Sequence, residues 1–332
     1  MARIIKPVTL TFVSSTAADS SLPAWNALAS YTLGDQVVRN TVSPPKEYEL
    51  IAASNTGSAP ELNPTVWAEL DATNPYRCLV DTVSSQTADI SEWSITLNVT
   101  QQWDRLCLFR IEGAAQVHVE IWDNSTASNS VYTADGEPVV TSFGKNVVTA
   151  EGASGGADYD ETFSLYEDRG VDDWYGYFYN PFTPKTNEVI EIQTGYTKSQ
   201  IRLTFTGSAG DTVKVGHIVI GASVYIGCTT YGARVGFQDY SRREVNDYGE
   251  IEFTERDYAP KAQYDIKLPT SYEDAALRAF ISARGGPAVF DMNPDDSTVM
   301  EQARIYGICR EAAVELRDHG LSYLSVDILG LT

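Results

Sequence analysis

Apolar and polar residues alternate one by one through the middle of this chain. Thr96 and Asn98 separate Ile95, Leu97 and Val99, and His118 and Glu120 separate Val117, Val119 and Ile121. Arg202 and Thr204 separate Ile201, Leu203 and Phe205, and Val213, Val215, Ile218 and Ile220 follow. A period of two places every second side chain on one face of an extended strand, whereas a helix needs a period near 3.6. Strands of this kind, spaced by roughly 8–12 residues with Gly and Asn between them, pack as two facing sheets. The expectation for 73–224 is therefore a β-sandwich.

Composition agrees with a folded, multi-domain chain. At 332 residues, and about 150 per domain, two or three domains are expected. The chain is 43% hydrophobic, with 19 Tyr, 11 Phe and 6 Trp, too apolar for a wholly disordered protein. Against 24 Lys and Arg stand 45 Asp and Glu, a formal charge of −21. Such a surface repels polyanions, and no window collects the basic residues that nucleic-acid binding requires. No apolar run approaches the ~18 residues of a membrane-spanning helix, so no membrane insertion is expected. The N-terminal stretch Val8-Thr9-Leu10-Thr11-Phe12 alternates, as a first strand does and a secretory signal does not.

Four segments can be read along the chain. Residues 1–22 are a strand and a small-residue linker, and 23–72 are a compact aromatic segment punctuated by Pro44, Pro45, Pro60 and Pro64. So small a unit depends on its aromatic rings, each worth about 150–250 Å² of burial. After the sandwich, 225–332 reads as an α+β domain with one helix and two hairpins. One hairpin runs Phe237 to Val245, turns at Asn246–Gly249, and returns through Ile251 and Phe253. The helix starts at a capping-box-like Ser271-x-x-Asp274, carries Leu277, Phe280 and Ile281 at helical spacing, and stops at Gly285-Gly286-Pro287. The last hairpin spans Ile305–Leu316 and Leu324–Ile328 around Asp318-His319-Gly320, and the first strand is expected to join this domain.

Motifs for chemistry are sparse. Cys78, Cys107, Cys228 and Cys309 lie far apart without neighbouring His, which argues for buried free thiols and against zinc. His118 and His217 sit in strand patterns and His319 in a turn, none beside a nucleophile elbow. The cluster Asp172-Asp173-Trp174-Tyr175-Gly176-Tyr177-Phe178-Tyr179 reads first as a strand covered on both faces, then as a surface for a sugar ligand or a partner, and last as the paired carboxylates of a glycosidase. Asp158-Tyr159-Asp160-Glu161 with Glu167-Asp168 reads as a solvated acidic loop rather than a calcium site. Asp291-Met292-Asn293-Pro294-Asp295-Asp296 reads as a turn. No cofactor and no metal is expected.

Two stretches resemble known families. Ala24-Trp25, Tyr31-x-x-Gly34-Asp35-x-Val37, Tyr48-x-x-x-Ala52, Pro60 and Trp67 resemble the small chitin-type carbohydrate-binding module. The family carries exposed aromatics after its Tyr-x-Ala strand, where this chain has Ala52-Ala53-Ser54-Asn55-Thr56. The resemblance implies Trp25, Tyr31, Tyr48 and Trp67 as the carbohydrate-binding residues; the alternative is that these rings form the core of the module and only the fold is shared. The second stretch, 174–331, looks like a tail or baseplate protein recurrent in tailed bacteriophages and described as a carbohydrate-binding tail protein. It is carried by Asp173–Phe182, Val215–Gly221, Thr229–Gly232, Asp239–Arg243, Asp247–Gly249 and Ser325–Leu331.

The second resemblance implies a sandwich of the jelly-roll or galactose-binding-like kind and a C-terminal domain docked on the tail. It also implies a non-enzymatic protein of the virion, made in the host cytoplasm. Expected partners are other tail components (tube and hub), a host-surface saccharide, and further copies in a three-fold or six-fold ring. Arg234, Arg242, Arg243 and Arg256 are candidate contacts for acidic neighbours. The alternatives are a polysaccharide-degrading enzyme, which needs two carboxylates ~5–9.5 Å apart, and a purely architectural tail protein.

Overall fold

The structure, a computed structural model, describes residues 2–82, 84–123, 129–130, 148–149, 157–166, 184–192, 198–230, 232–245, 251–292, 303–315 and 320–331. Its architecture is mainly β. The chain opens with β1 (Ala2–Pro7) and β2 (Leu10–Ser15). A small module follows with β3 (Ser30–Thr32), β4 (Gln36–Arg39), β5 (Lys46–Leu50), β6 (Ser54–Thr56) and β7 (Trp67–Ala72). Next come β8 (Thr87–Ile90), β9 (Glu92–Val99), β10 (Arg105–Glu112), β11 (Ala114–Asp123), and the short pair β12 (Asn129–Ser130) and β13 (Val148–Thr149). The sandwich ends with β14 (Tyr159–Ser164), β15 (Glu188–Glu191), β16 (Ser199–Gly207) and β17 (Thr212–Thr229). Beyond them lie β18 (Arg234–Asp239), β19 (Arg242–Val245), β20 (Ile251–Thr254) and β21 (Tyr258–Pro269). Helix α1 (Glu273–Ala283), β22 (Ala288–Asp291), β23 (Arg304–Glu315) and β24 (Leu321–Gly330) complete the fold.

Alternation sets the sandwich. One sheet has the order β14-β11-β16-β9-β2, and it faces the part of a ten-stranded sheet that runs β15-β10-β17, with β8 on β17. Ile95, Leu97, Val117, Val119, Ile121, Ile201, Leu203 and Phe205 point inward from the first sheet onto Leu106, Leu108, Val213, Val215, Ile218 and Ile220 of the second. Two buried indoles have their N–H groups satisfied: Trp93 donates to the Val213 carbonyl at 3.2 Å and Trp103 to Ser199 Oγ at 2.9 Å.

The rest of the ten-stranded sheet closes on itself. β17 pairs with β1, β1 with β22, β22 with β23, β23 with β24, β24 with β21, and β21 returns to β17 through Cys228↔Lys267 and Thr229↔Ile266. All six ladders are antiparallel, so these strands form a six-stranded ring. Ile4, Ile226, Tyr264, Ile266, Phe290, Ile305, Leu324, Val326 and Ile328 fill it, and α1 packs Ala276, Ala279 and Phe280 on them. The first strand read from the sequence, the alternating stretch near Val8, does not join the C-terminal body. Leu10–Ser15 is β2, which pairs with β9, and Val8, Leu10 and Phe12 pack on the sandwich core, while the preceding β1 enters the ring.

Several local expectations need correction. Phe237 to Val245 is not one strand: β18 pairs with β21 in the ring sheet, and β19 pairs with β20 as a separate ribbon. The N-cap of α1 is Tyr272, with no side-chain cap bond, because Ser271 is already inside a 3-10 turn (Thr270–Tyr272). Leu277 and Ile281 face solvent and the smaller Ala276 and Ala279 face the ring, since alanine lets a helix approach a sheet closely. The boundary read at 224/225 falls inside the unbroken β17. Tyr159–Glu161 lies in strand β14 rather than in a loop. Cys78 and Cys107 are buried, but Cys228 is exposed and Cys309 intermediate. The aromatic cluster 172–179, Glu167-Asp168, Asn293–Asp296, and the turns at 246–249 and 318–319 lie outside the described residues.

Candidate functional site

Three of the four aromatics expected to meet a saccharide, Tyr31, Tyr48 and Trp67, form the centre of the small module. β4, β5 and β7 make one sheet, and β3 pairs with β6. Tyr31, Val37, Tyr48, Leu50 and Trp67 pack together between them. Trp67 is 1% exposed, with its N–H donating to the Ser58 carbonyl at 3.1 Å. Tyr31 sits edge-on to it, ring centroids 5.3 Å apart, and its hydroxyl accepts from the Asn26 N–H at 2.7 Å. Burial pushes the Tyr48 phenol above its ordinary value. These three rings are turned into the module and leave no open face for stacking. Trp25 differs: it is half-buried, and the Arg39 guanidinium lies 4.5 Å from its ring centroid. Glu61 holds Arg39 in place, and that contact lowers the Glu61 carboxyl below its usual range. The Trp25–Arg39 pair is the part of the expected set that reaches the surface.

The module is tied to the sandwich by charge. Arg77, just past β7, reaches Glu47 at 3.1 Å and Asp71 at 3.3 Å, and Ser85 donates to Asp71 at 2.6 Å.

A second surface lies on the ribbon beside the ring. Register places Val245 opposite Ile251 and Arg243 opposite Phe253. With a period of two, all four side chains share one face. Val245 is 69% exposed, Ile251 71% and Phe253 55%. The Arg243 guanidinium stands 5.7 Å from the Phe253 ring. Phe237, on β18, is 70% exposed and packs edge-on against Tyr258. β18 is the terminal strand of its sheet, so among the described residues its outer edge is unpaired. Neighbouring exposed apolar side chains beside an open strand edge mark a place where another chain pairs.

Nucleophilic chemistry requires a nucleophile, a base and an orienting group in mutual contact. His118 Nδ1 lies 2.9 Å from Thr162 Oγ1, and its Nε2 lies 3.4 Å from Asp160. The residue types suit a triad, but the set is a cross-strand ladder on the open face of β11 and β14. His217 is buried, and desolvation lowers it to about 4. Burial also pushes the Cys78 thiol up to about 12, far from a reactive thiolate. His319 lies outside the described residues. Among the described residues, no three His, Cys, Asp or Glu side chains converge as a metal centre. No helix is long and apolar enough to cross a membrane among them.

Neither a protein-family model nor a curated protein matches this chain.

Proposed function

We propose that this protein is a non-enzymatic structural and adhesive component of a bacteriophage tail tip or baseplate. In this reading the six-stranded ring docks among tail proteins, and the sandwich and small module face outward toward host-surface saccharide. The observation that carries it is that β18 has an open edge and the β19–β20 ribbon, next in the chain, has an exposed apolar face. Large apolar side chains are exposed elsewhere too, Leu28 and Leu62 among them, but Val245, Ile251 and Phe253 share one face of the ribbon, and such a strip belongs against a neighbour. Joining edge to edge around an axis builds a closed ring, three-fold or six-fold. Of the residues behind the tail-protein resemblance, Ser325–Gly330 lies in β24 of the ring, and Val215–Gly221 lies in the part of β17 that pairs with β10 in the sandwich.

Two measurements test the reading. Sedimentation of the full chain should show trimers or hexamers, and Phe237→Asp with Ile251→Asp should yield folded monomers. Antibody labelling of intact virions should decorate the tail tip. A wild-type chain that stays monomeric at every concentration, with unlabelled tails, overturns the assembly claim. Release of reducing ends from chitin or capsule oligosaccharides overturns the non-enzymatic one.

A further inference from the structure

Between the outer face of the ring and strands β10 and β15 lies a cavity of about 400 Å³, within the roughly 300–1,000 Å³ of small-molecule sites. Arg110, Arg304, Asn187, Asp257, Tyr258 and Tyr306 line it. Arg110 is the unusual member. Its φ is +51°, the left-handed region that residues with a Cβ rarely adopt, although it sits inside β10. Two side chains hold it there: Asn187 Oδ1 accepts from its backbone N–H at 3.1 Å, and Gln86 Nε2 donates to its carbonyl at 3.1 Å. Backbone held in a sparsely populated conformation by dedicated partners is a recurrent mark of binding sites.

The guanidiniums supply the second observation. Arg110 reaches Asp257 only at 3.8 Å and Glu112 only at 4.0 Å. Arg304 reaches Glu188 at 3.5 Å and Asp291 at 3.8 Å. These are ion pairs without hydrogen bonds, and among the described residues neither guanidinium donates a hydrogen bond to a protein acceptor. Two planar forks of N–H donors therefore face one cavity with their directional bonding unmade, the arrangement a carboxylate completes. The neighbouring carboxylates balance the positive charge, so a bare anion gains little from net charge alone. The remaining wall is aromatic and amide: Tyr258, 59% exposed, offers a ring face, and Asn187 and Asp257 offer partners for hydroxyl groups.

We infer that this cavity binds an acidic sugar residue, a pyranose bearing a carboxylate, with the carboxylate on Arg110 and Arg304 and the ring on Tyr258. The inference deepens the adhesive reading and rests on it only for where such a sugar is met. Calorimetric titration of the full chain with glucuronate, glucose, acetate and inorganic phosphate tests it. Glucuronate should bind at least ten-fold more tightly than the other three. Arg110→Gly, which removes the guanidinium and suits the left-handed backbone, should lose at least ten-fold in glucuronate affinity without a fall in melting temperature. Arg110→Asn, also tolerant of that conformation, should behave alike, and Tyr258→Ala should weaken glucuronate while leaving acetate unchanged.

Equal binding of glucose and glucuronate, or affinity unmoved by either Arg110 substitution, overturns the proposal. Acetate or phosphate binding as tightly as glucuronate reduces the site to a plain anion pocket and overturns it too. Ring assembly and tail labelling are read apart from it: the Arg110 substitutions lie away from the ribbon, and Ile251→Asp, which touches neither the cavity nor Tyr258, should leave glucuronate affinity unchanged.

Discussion

His217 shows what one buried side chain imposes on the fold. It stacks on Tyr306 of β23 with ring centroids 4.5 Å apart, and Asp81, on the segment after the module, lies 3.9 Å from its Nε2. The Tyr306 hydroxyl donates to Asp81 at 2.6 Å, so three separate parts of the chain meet there. Burial lowers His217 from 6.5 to about 4, outweighing the opposing pull of Asp81. The unfolded chain therefore takes up this proton more readily than the folded one. The stability that neutral His217 confers is complete above pH ~6.5 and falls as pH drops toward 4, by roughly 3 kcal/mol in all. Urea denaturation at pH 7 and pH 4.5 should show a steeper loss for the wild type than for His217→Phe. Parallel losses would refute the assignment. Arg304 makes a second test at this scale. Arg304→Met removes the guanidinium 3.8 Å from the 3%-exposed Asp291, which keeps another partner, and should cost about 1 kcal/mol, read as a shifted urea midpoint. The sequence shows His217 in a strand but not its companions Asp81 and Tyr306, which come from segments more than 80 residues away.

Among the elements, β17 carries most of the organisation. It pairs with β8 and β10 in the sandwich, then with β1 and β21 in the ring. Gly221 sits where β1 and β10 flank it, and a Cβ there would stand 2.4 Å from the Lys6 carbonyl oxygen. Gly221→Val should cost about 1–3 kcal/mol through backbone displacement and loosen β1 first, visible as faster amide exchange over residues 2–7. The small module responds differently. Trp67→Ala removes its largest core side chain and should cost about 3–5 kcal/mol within the module. Limited proteolysis should then cut 23–72 while the sandwich stays protected. The strands β9, β11 and β16 were legible in advance because one buried face and one polar face write themselves as alternation. The break between β18 and β19 was not, because both halves alternate alike and only their pairing partners differ. The buried stripe of α1 was misread for a related reason: Leu277 and Ile281 are the more apolar choice, yet the space over the ring admits only Ala276 and Ala279 beside Phe280.

For the whole molecule, the long-range field and the local surface point in opposite directions. A charge of −21 keeps separate copies apart, while the ribbon and the edge of β18 invite contact. Assembly should therefore strengthen as salt screens the repulsion, since the Debye length shrinks from about 10 Å at 0.1 M to about 3 Å at 1 M. Sedimentation across that range should show larger species at high salt for the wild type and none for Phe237→Asp. A wild-type oligomer that dissociates with added salt would mean that ion pairs, not apolar contact, hold it.

Strand content, the sandwich and the aromatic module follow from local patterning, because side-chain period and aromatic spacing are properties of neighbours in the chain; the division of the N-terminus between β1 in the ring and β2 in the sandwich does not. Closure of the ring, the continuity of β17 through both bodies, the burial of Tyr31, Tyr48 and Trp67, and the cavity around Arg110 were decided only in three dimensions. Each depends on which distant strands share hydrogen bonds, and a one-dimensional pattern records the face a residue prefers but not what stands opposite it.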